Sequence, residues 1–123
     1  MPETDSPALR TWLAYYEAWI SRDLETAMTY IADDIVCDAP AGRLEGADAY
    51  RAFMGPFTQM LKSATLIAAF GDDTRALAMY DTDTALVTSA PGAECVTVSD
   101  GKITYSRFLF DRAPFDAARR ASG

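Results

Sequence analysis

Apolar positions recur at helical spacing through the first half of the chain and at strand spacing through the second. Leu9, Trp12, Leu13, Tyr16, Trp19 and Ile20 repeat every three or four residues, which lays them on one face of a helix. Ser6-Pro7 ahead of them reads as an N-cap followed by proline at the first helical position, so residues 1–6 are expected to be a frayed leader. Asp23 caps a second, shorter helix, residues 24–31, which buries Leu24, Ala27, Met28 and Ile31. Asp34 to Ala39 is rich in β-branched residues and closed by Pro40, a short strand, and 41–46 is a loop. Ala47 or Asp48 opens a third helix with Tyr50, Phe53 and Met54 inward. Gly55-Pro56 breaks or kinks it before a further turn through Phe57, Met60 and Leu61.

After Ser63 the period falls to two. Residues 64–70 form a strand, 71–73 a turn, and 75–88 a long alternating strand that ends at Ala90-Pro91-Gly92. Residues 94–98 pair through Ser99-Asp100-Gly101 with 102–111, because Asp-Gly between alternating runs is a strong hairpin signal. Residues 113–123 read as a tail, weakly helical at most. Helices followed by hairpin-linked strands give an α+β fold, with three or four helices over a curved antiparallel sheet. In the long strand Leu77, Met79, Asp81 and Asp83 share one face, and Ala76, Ala78, Tyr80, Thr82 and Thr84 the other. The last strand sets Thr104, Ser106, Phe108 and Phe110 against Ile103, Tyr105, Arg107 and Leu109. Both faces are partly apolar, as in a sheet with helices on one side and a partner chain on the other.

Composition narrows this picture. At 123 residues the chain reads as one domain, 1–123, with its core in about 7–112. It has no apolar stretch long enough to span a bilayer, and residues 1–6 are polar and acidic, so a cytoplasmic protein is expected. The formal charge is −7, with nine arginines and two lysines against eighteen acidic residues, which disfavours nucleic acid. Cys37 and Cys95 read as core thiols. The chain has no histidine, which removes Ser-His-Asp and Cys-His systems and the usual zinc sites. Any proton transfer falls to Asp, Glu, Tyr or a thiol. Asp81-x-Asp83 is too short a pattern for a metal, and no phosphate-cradling glycine loop is present, so no cofactor is expected.

Several local motifs stand in a telling order: Arg22-Asp23-Leu24-Glu25, Tyr30-Ile31-Ala32-Asp33-Asp34, Pro40-Ala41-Gly42 followed by Gly46, and Asp100-Gly101-Lys102-Ile103 leading to Phe110-Asp111. Over roughly residues 9–112 the chain resembles the nuclear-transport-factor-two-like superfamily, with its cystatin-like fold. Members include SnoaL-like polyketide cyclases, ketosteroid isomerases and limonene-epoxide-hydrolase-like enzymes. The resemblance implies a cone-shaped sheet closed by helices around an apolar pocket, and a homodimer formed across the outer sheet face. Against the ketosteroid isomerases, Tyr15 falls at the oxyanion-binding tyrosine and Glu94 near the protonated acid. Asp38 lies one residue from the base, because Ala39 intervenes before Pro40, and a one-residue shift on a strand reverses the face a side chain takes.

Candidate site residues follow. Asp38 is the candidate acid–base group, since a carboxylate beside an apolar cavity is tuned toward neutral pH; otherwise it is an exposed strand-end carboxylate. Tyr15 is a candidate hydrogen-bond donor to a carbonyl or enolate, or else a helix aromatic with its hydroxyl satisfied locally. Asp81 becomes a wall or rim carboxylate if the Leu77–Met79 face lines the cavity, and is solvated if it does not. Glu94 is a site acid or a solvated strand start. Trp12, Trp19, Phe53, Phe57, Met60, Met79 and Phe108 are core residues that would also favour a flat apolar ligand. Arg107 could join an epoxide-hydrolase-type arrangement between two carboxylates, or form an ion pair at the surface. The functions expected are a cofactor-free isomerase or cyclase acting on an apolar carbonyl compound, a non-catalytic ligand-binding or dimerising module, or an epoxide hydrolase.

Overall fold

The computed structural model describes residues 6–122. Helix α1 spans Pro7–Ile20 and starts as the Ser6-Pro7 pair dictates: the Ser6 side chain accepts from the Leu9 N–H at 3.0 Å. Ser6 is not frayed. It is buried, and its hydroxyl donates to the Asp72 carbonyl, pinning the helix start to a turn 66 residues away. The rest of the expected leader, 1–5, lies outside the described residues. Helix α2 is Leu24–Met28, capped by Asp23, whose carboxylate accepts from the Thr26 N–H at 3.1 Å. It stops three residues short of the expected end. The Ile103 N–H donates to the Tyr30 carbonyl at 2.7 Å, which draws residue 31 into the sheet.

Strand β1 (Ile31–Ala39) therefore begins earlier than its composition suggested, and the expected loop after it contains β2 (Gly42–Glu45), paired with β1 through Asp38↔Arg43. Helix α3, Ala47–Met60, runs through Gly55-Pro56 without ending. Strands β3 (Leu61–Gly71), β4 (Arg75–Thr84), β5 (Ala90–Ser99) and β6 (Lys102–Phe110) follow. Asp100 and Gly101, with φ of 53° and 74°, form the tight turn that their sequence foretold. The tail is a helix, α4, Ala113–Ser122, with Asp111 accepting from the Ala113 N–H at 3.0 Å, and Phe115 buried.

The six strands lie in the order β2-β1-β6-β5-β4-β3, in a curved, unclosed α+β arrangement. Every neighbouring pair is antiparallel except β1 and β6, which run parallel. The inner, helix-covered face of β4 carries Ala76, Ala78, Tyr80, Thr82 and Thr84, all buried. Large rings of α1 collect around one of them: Trp19 lies 5.3 Å from the Tyr80 ring, Tyr16 5.9 Å and Trp12 6.1 Å. Leu77, Met79 and Asp81 point the other way. Leu77 and Met79 are about half exposed, and Asp81 is exposed with them. The face carrying those three residues is the outer one, because β4 alternates strictly and its small and aromatic set is the one that meets α1.

Gly71, the last residue of β3, sits under the α1 start. A Cβ there would lie 2.7 Å from Ser6 Oγ, 2.9 Å from the Arg75 carbonyl oxygen and 3.0 Å from Leu9 Cβ. Gly71→Ala is expected to lose about 1–3 kcal/mol by overpacking, read as a lower urea midpoint at unchanged slope.

Candidate functional site

An apolar cavity of about 330 Å³ lies between α3, the inner sheet face and α4. Its position follows from the elements just described. Helix α3 turns Phe53, Phe57 and Met60 toward the sheet, β6 presents Phe108 and Phe110, and α4 closes over them with Phe115. These rings meet edge-on or tilted: Phe53–Phe108 at 5.7 Å, Phe108–Phe110 at 5.4 Å and Phe110–Phe115 at 5.6 Å. The inner face of β4 contributes the polar groups Tyr80 and Thr82. Gly92 lies opposite Tyr80 in the ladder, and a Cβ there would come within 3.0 Å of the Tyr80 ring. The absence of a side chain at 92 is what lets the phenol lie across β5.

Behind Tyr80 the core holds a buried carboxyl group. The Tyr80 hydroxyl donates to Glu94 Oε2 at 2.6 Å, and Glu94 is only 3 % exposed. Trp12 Nε1 faces the same carboxyl without reaching strict hydrogen-bond geometry, and Glu94 Oε1 has no partner among the described residues. Burial raises the Glu94 pKa, offset in part by these two donors, so the acid form is favoured. Around it, Tyr15 and Tyr50 share a hydroxyl–hydroxyl hydrogen bond, and both phenols, with Tyr80, are held neutral by burial. Cys37 is likewise pushed up to about 12, chiefly by burial.

The structure distributes the expected site residues over three regions. Phe53, Phe57, Met60 and Phe108 line the cavity. Trp12, Trp19, Tyr15 and Glu94 are core residues behind its wall, with Trp19 touching both Tyr80 and the cavity residue Phe57 at 5.6 Å. Met79 and Asp81 are on the outer face, away from it. Asp38 is there too. Its carboxylate accepts from Arg43 Nε at 2.8 Å, Arg43 Nη2 at 3.0 Å and the Tyr105 hydroxyl at 2.6 Å, with Arg107 Nη2 at 3.9 Å. The Arg43 and Tyr105 hydrogen bonds hold its pKa down to about 2. It is therefore a fixed anion outside the cavity rather than a base within it. The register explains this: Cys37 and Ala39 face inward, so the position beside Pro40 belongs to an alanine. Arg107, exposed and paired with Asp38, does not form an arrangement between two carboxylates in the cavity.

Sequence reasoning missed Tyr80 as a cavity group, and Thr82, Phe110, Arg112, Phe115, Asp116 and Arg119 with it. The alternation did put Tyr80 and Thr82 on one face, but not which face was covered. Among the described residues no cluster of His, Cys, Asp or Glu could hold a metal, and no helix is long and apolar enough to cross a membrane.

A profile of the SnoaL-like domain family matches residues 12–106, most of the chain. The chain belongs to that family. The domain is also similar over 94 % of its length to 95 % of a crystallised protein from Kribbella flavida DSM 17836, at 56 % identity and a TM-score of 0.91. It shares its fold with a limonene-epoxide-hydrolase-like epoxide hydrolase of M. tuberculosis (18 % identity, 91 % and 88 % covered, TM-score 0.72). A candidate polyketide cyclase of Xanthomonas campestris pv. campestris is similar in the same way (20 % identity, 96 % and 98 % covered, TM-score 0.73). No curated protein matches. The SnoaL-like domain thus carries the nuclear-transport-factor-two-like fold.

The two carboxyls pull stability in opposite directions with pH. Glu94 holds its proton above the ordinary 4.5, so its contribution is full at acid pH and is lost as pH rises through the raised value. Asp38 is depressed from 3.8 to about 2, so its contribution is present above 3.8 and is lost as pH falls toward 2. Urea unfolding from pH 2 to 9 should show Glu94→Gln flattening the alkaline limb and Asp38→Asn the acid one.

Proposed function

We propose that the domain binds a flat, apolar carbonyl compound in the cavity, with Tyr80 donating a hydrogen bond to the carbonyl oxygen. The observation that carries this reading is the Tyr80–Glu94 pair, a phenol at the cavity wall backed by a carboxyl buried in the core. With Glu94 protonated, the pair has two proton arrangements. In one the phenol donates to the carboxyl. In the other the carboxyl donates to the phenol oxygen, which frees the phenol proton to turn to a ligand. Chained donors polarise one another in a low-dielectric site, which makes the second arrangement a stronger donor than a lone tyrosine. A carbonyl held this way is eased toward its enol, the chemistry an isomerase or cyclase of this fold would use. Tyr80 takes the role that Tyr15 was expected to fill, and Glu94 stays as the neutral acid.

Trp19 lies against both Tyr80 and Phe57, so tryptophan fluorescence reports on the cavity. Titration with 2-acetylnaphthalene should quench it. Tyr80→Phe, which keeps the ring but removes the hydroxyl, should weaken binding about tenfold, the ~1.4 kcal/mol of one buried hydrogen bond. Equal affinity for both proteins would remove Tyr80 as the donor. Proton NMR in D2O separates an enzyme from a binding module: faster exchange of the ketone's methyl protons with protein present marks enolisation, and binding without exchange marks the module.

A homodimer across the outer sheet face belongs to the same proposal. Phe70 pairs with Leu77 in the β3–β4 ladder, and Met79 and Leu109 each face Ala93, so four large apolar side chains, each about half exposed or more, adjoin one another. Such a contiguous patch favours a covering surface. Sedimentation should give a dimer, and Leu77→Lys with Met79→Lys a monomer; a monomeric unsubstituted protein would end this part.

A further inference from the structure

Among the described residues the sheet lends the cavity two polar side chains, Tyr80 and Thr82. They sit two residues apart on the inner face of β4, about 7 Å along the strand, and both are buried. Their protons are placed differently. The Tyr80 hydroxyl bonds a carboxyl that can itself become the donor, whereas the Thr82 hydroxyl donates to the Ala90 carbonyl, its partner across the ladder, at 2.6 Å. Ala90 is buried too, so turning the Thr82 proton elsewhere would give up a buried hydrogen bond. A hydroxyl has one proton and two acceptor sites. With its proton committed, Thr82 has only lone pairs left to offer, and no donor among the described residues takes them. Small residues flank this stretch of wall: Ala90 lies opposite Thr82, and Pro91, which has no N–H to donate, and Gly92 follow along β5.

We propose that the ligand is a hydroxylated carbonyl compound, its hydroxyl donating to Thr82 Oγ1 while its carbonyl accepts from Tyr80. Thr82 is then the residue that tells this ligand from its deoxy and O-methyl relatives. This rests on the cavity reading above and narrows the class of ligand it takes. A neutral hydroxyl suits the position better than an ammonium, because a cation in an apolar cavity needs a counter-charge. The carboxylate lining the cavity, Asp116, already lies 3.9 Å from Arg112 and 3.8 Å from Arg119. A methyl ether has no proton to give, and it would set two acceptors against each other. The two side chains thus read opposite groups: one end of the ligand must accept, and the other must donate.

The test is calorimetric titration at pH 6 with 2-acetylnaphthalene, its 6-hydroxy and 7-hydroxy derivatives, and the methyl ether of each. At least one phenol should bind about tenfold tighter than its own ether, the effect of one buried neutral hydrogen bond. Thr82→Val, which has nearly the same shape without the hydroxyl, should bring that phenol down to its ether's affinity, and Thr82→Ser should keep the gap. Tyr80→Phe should weaken phenol and ether alike and leave the gap between them. Phenols that bind no better than their ethers, or a gap that survives Thr82→Val, would overturn the Thr82 assignment while leaving the cavity reading intact. Binding of none of these compounds would sink the cavity reading and this one together.

Discussion

A carboxyl group buried at the middle of the sheet is the constraint to which the rest of the interior answers. Glu94 on β5 can stay there only if it is neutral and has donors, since an unpaired buried charge would outweigh much of a small domain's net stability. Tyr80, on the neighbouring strand, supplies one donor at 2.6 Å, and the indole of Trp12 faces the group from α1. The rings that pack around Tyr80 exclude water from this pair, and that exclusion is what raises the pKa of the acid. Tyr15 and Tyr50 satisfy each other beside it. Hydrophobic packing and the chemistry of the wall are one arrangement here: loosening the aromatic seat would rehydrate Glu94 and remove the burial that raises its pKa.

Much of the fold was legible because its signals are local. Ser6-Pro7, Asp23 and Asp100-Gly101 each act through backbone groups within a few residues, and each starts or turns an element where the sequence says it should. What was not legible depends on distant partners. The early end of α2 is set by a hydrogen bond from Ile103, and the parallel β1–β6 pair joins strands far apart in the chain. Helix α4 has little apolar surface of its own, and it forms because Phe115 finds Phe110.

The site was harder for a related reason. Alternation divides a strand into two faces but does not say which one is covered, and the apolar Leu77–Met79 pair drew attention to the wrong face of β4. The covered face is the one with the alanines, because bulk is supplied from α1 and small residues opposite make room for it. Asp38 illustrates the same rule at the scale of one residue. Ala39 before Pro40 turns the carboxylate outward, where Arg43 and Tyr105 fix it as an anion. The residue shift was visible in the sequence; the partners waiting on the other side were not. Glu94 emerged only through family resemblance, since nothing local distinguishes a buried glutamate near Pro91-Gly92 from a solvated one.

The match to the family ends at Ser106, whereas Phe108, Phe110, Arg112, Phe115 and Arg119 of the cavity all lie beyond it. Most of the sheet and its buried acid lie within the matched span, and the stretch that closes the cavity lies past it. Part of that closing stretch is itself core, since Phe108 and Phe115 are buried, so the wall of the cavity and the end of the fold are built from the same side chains.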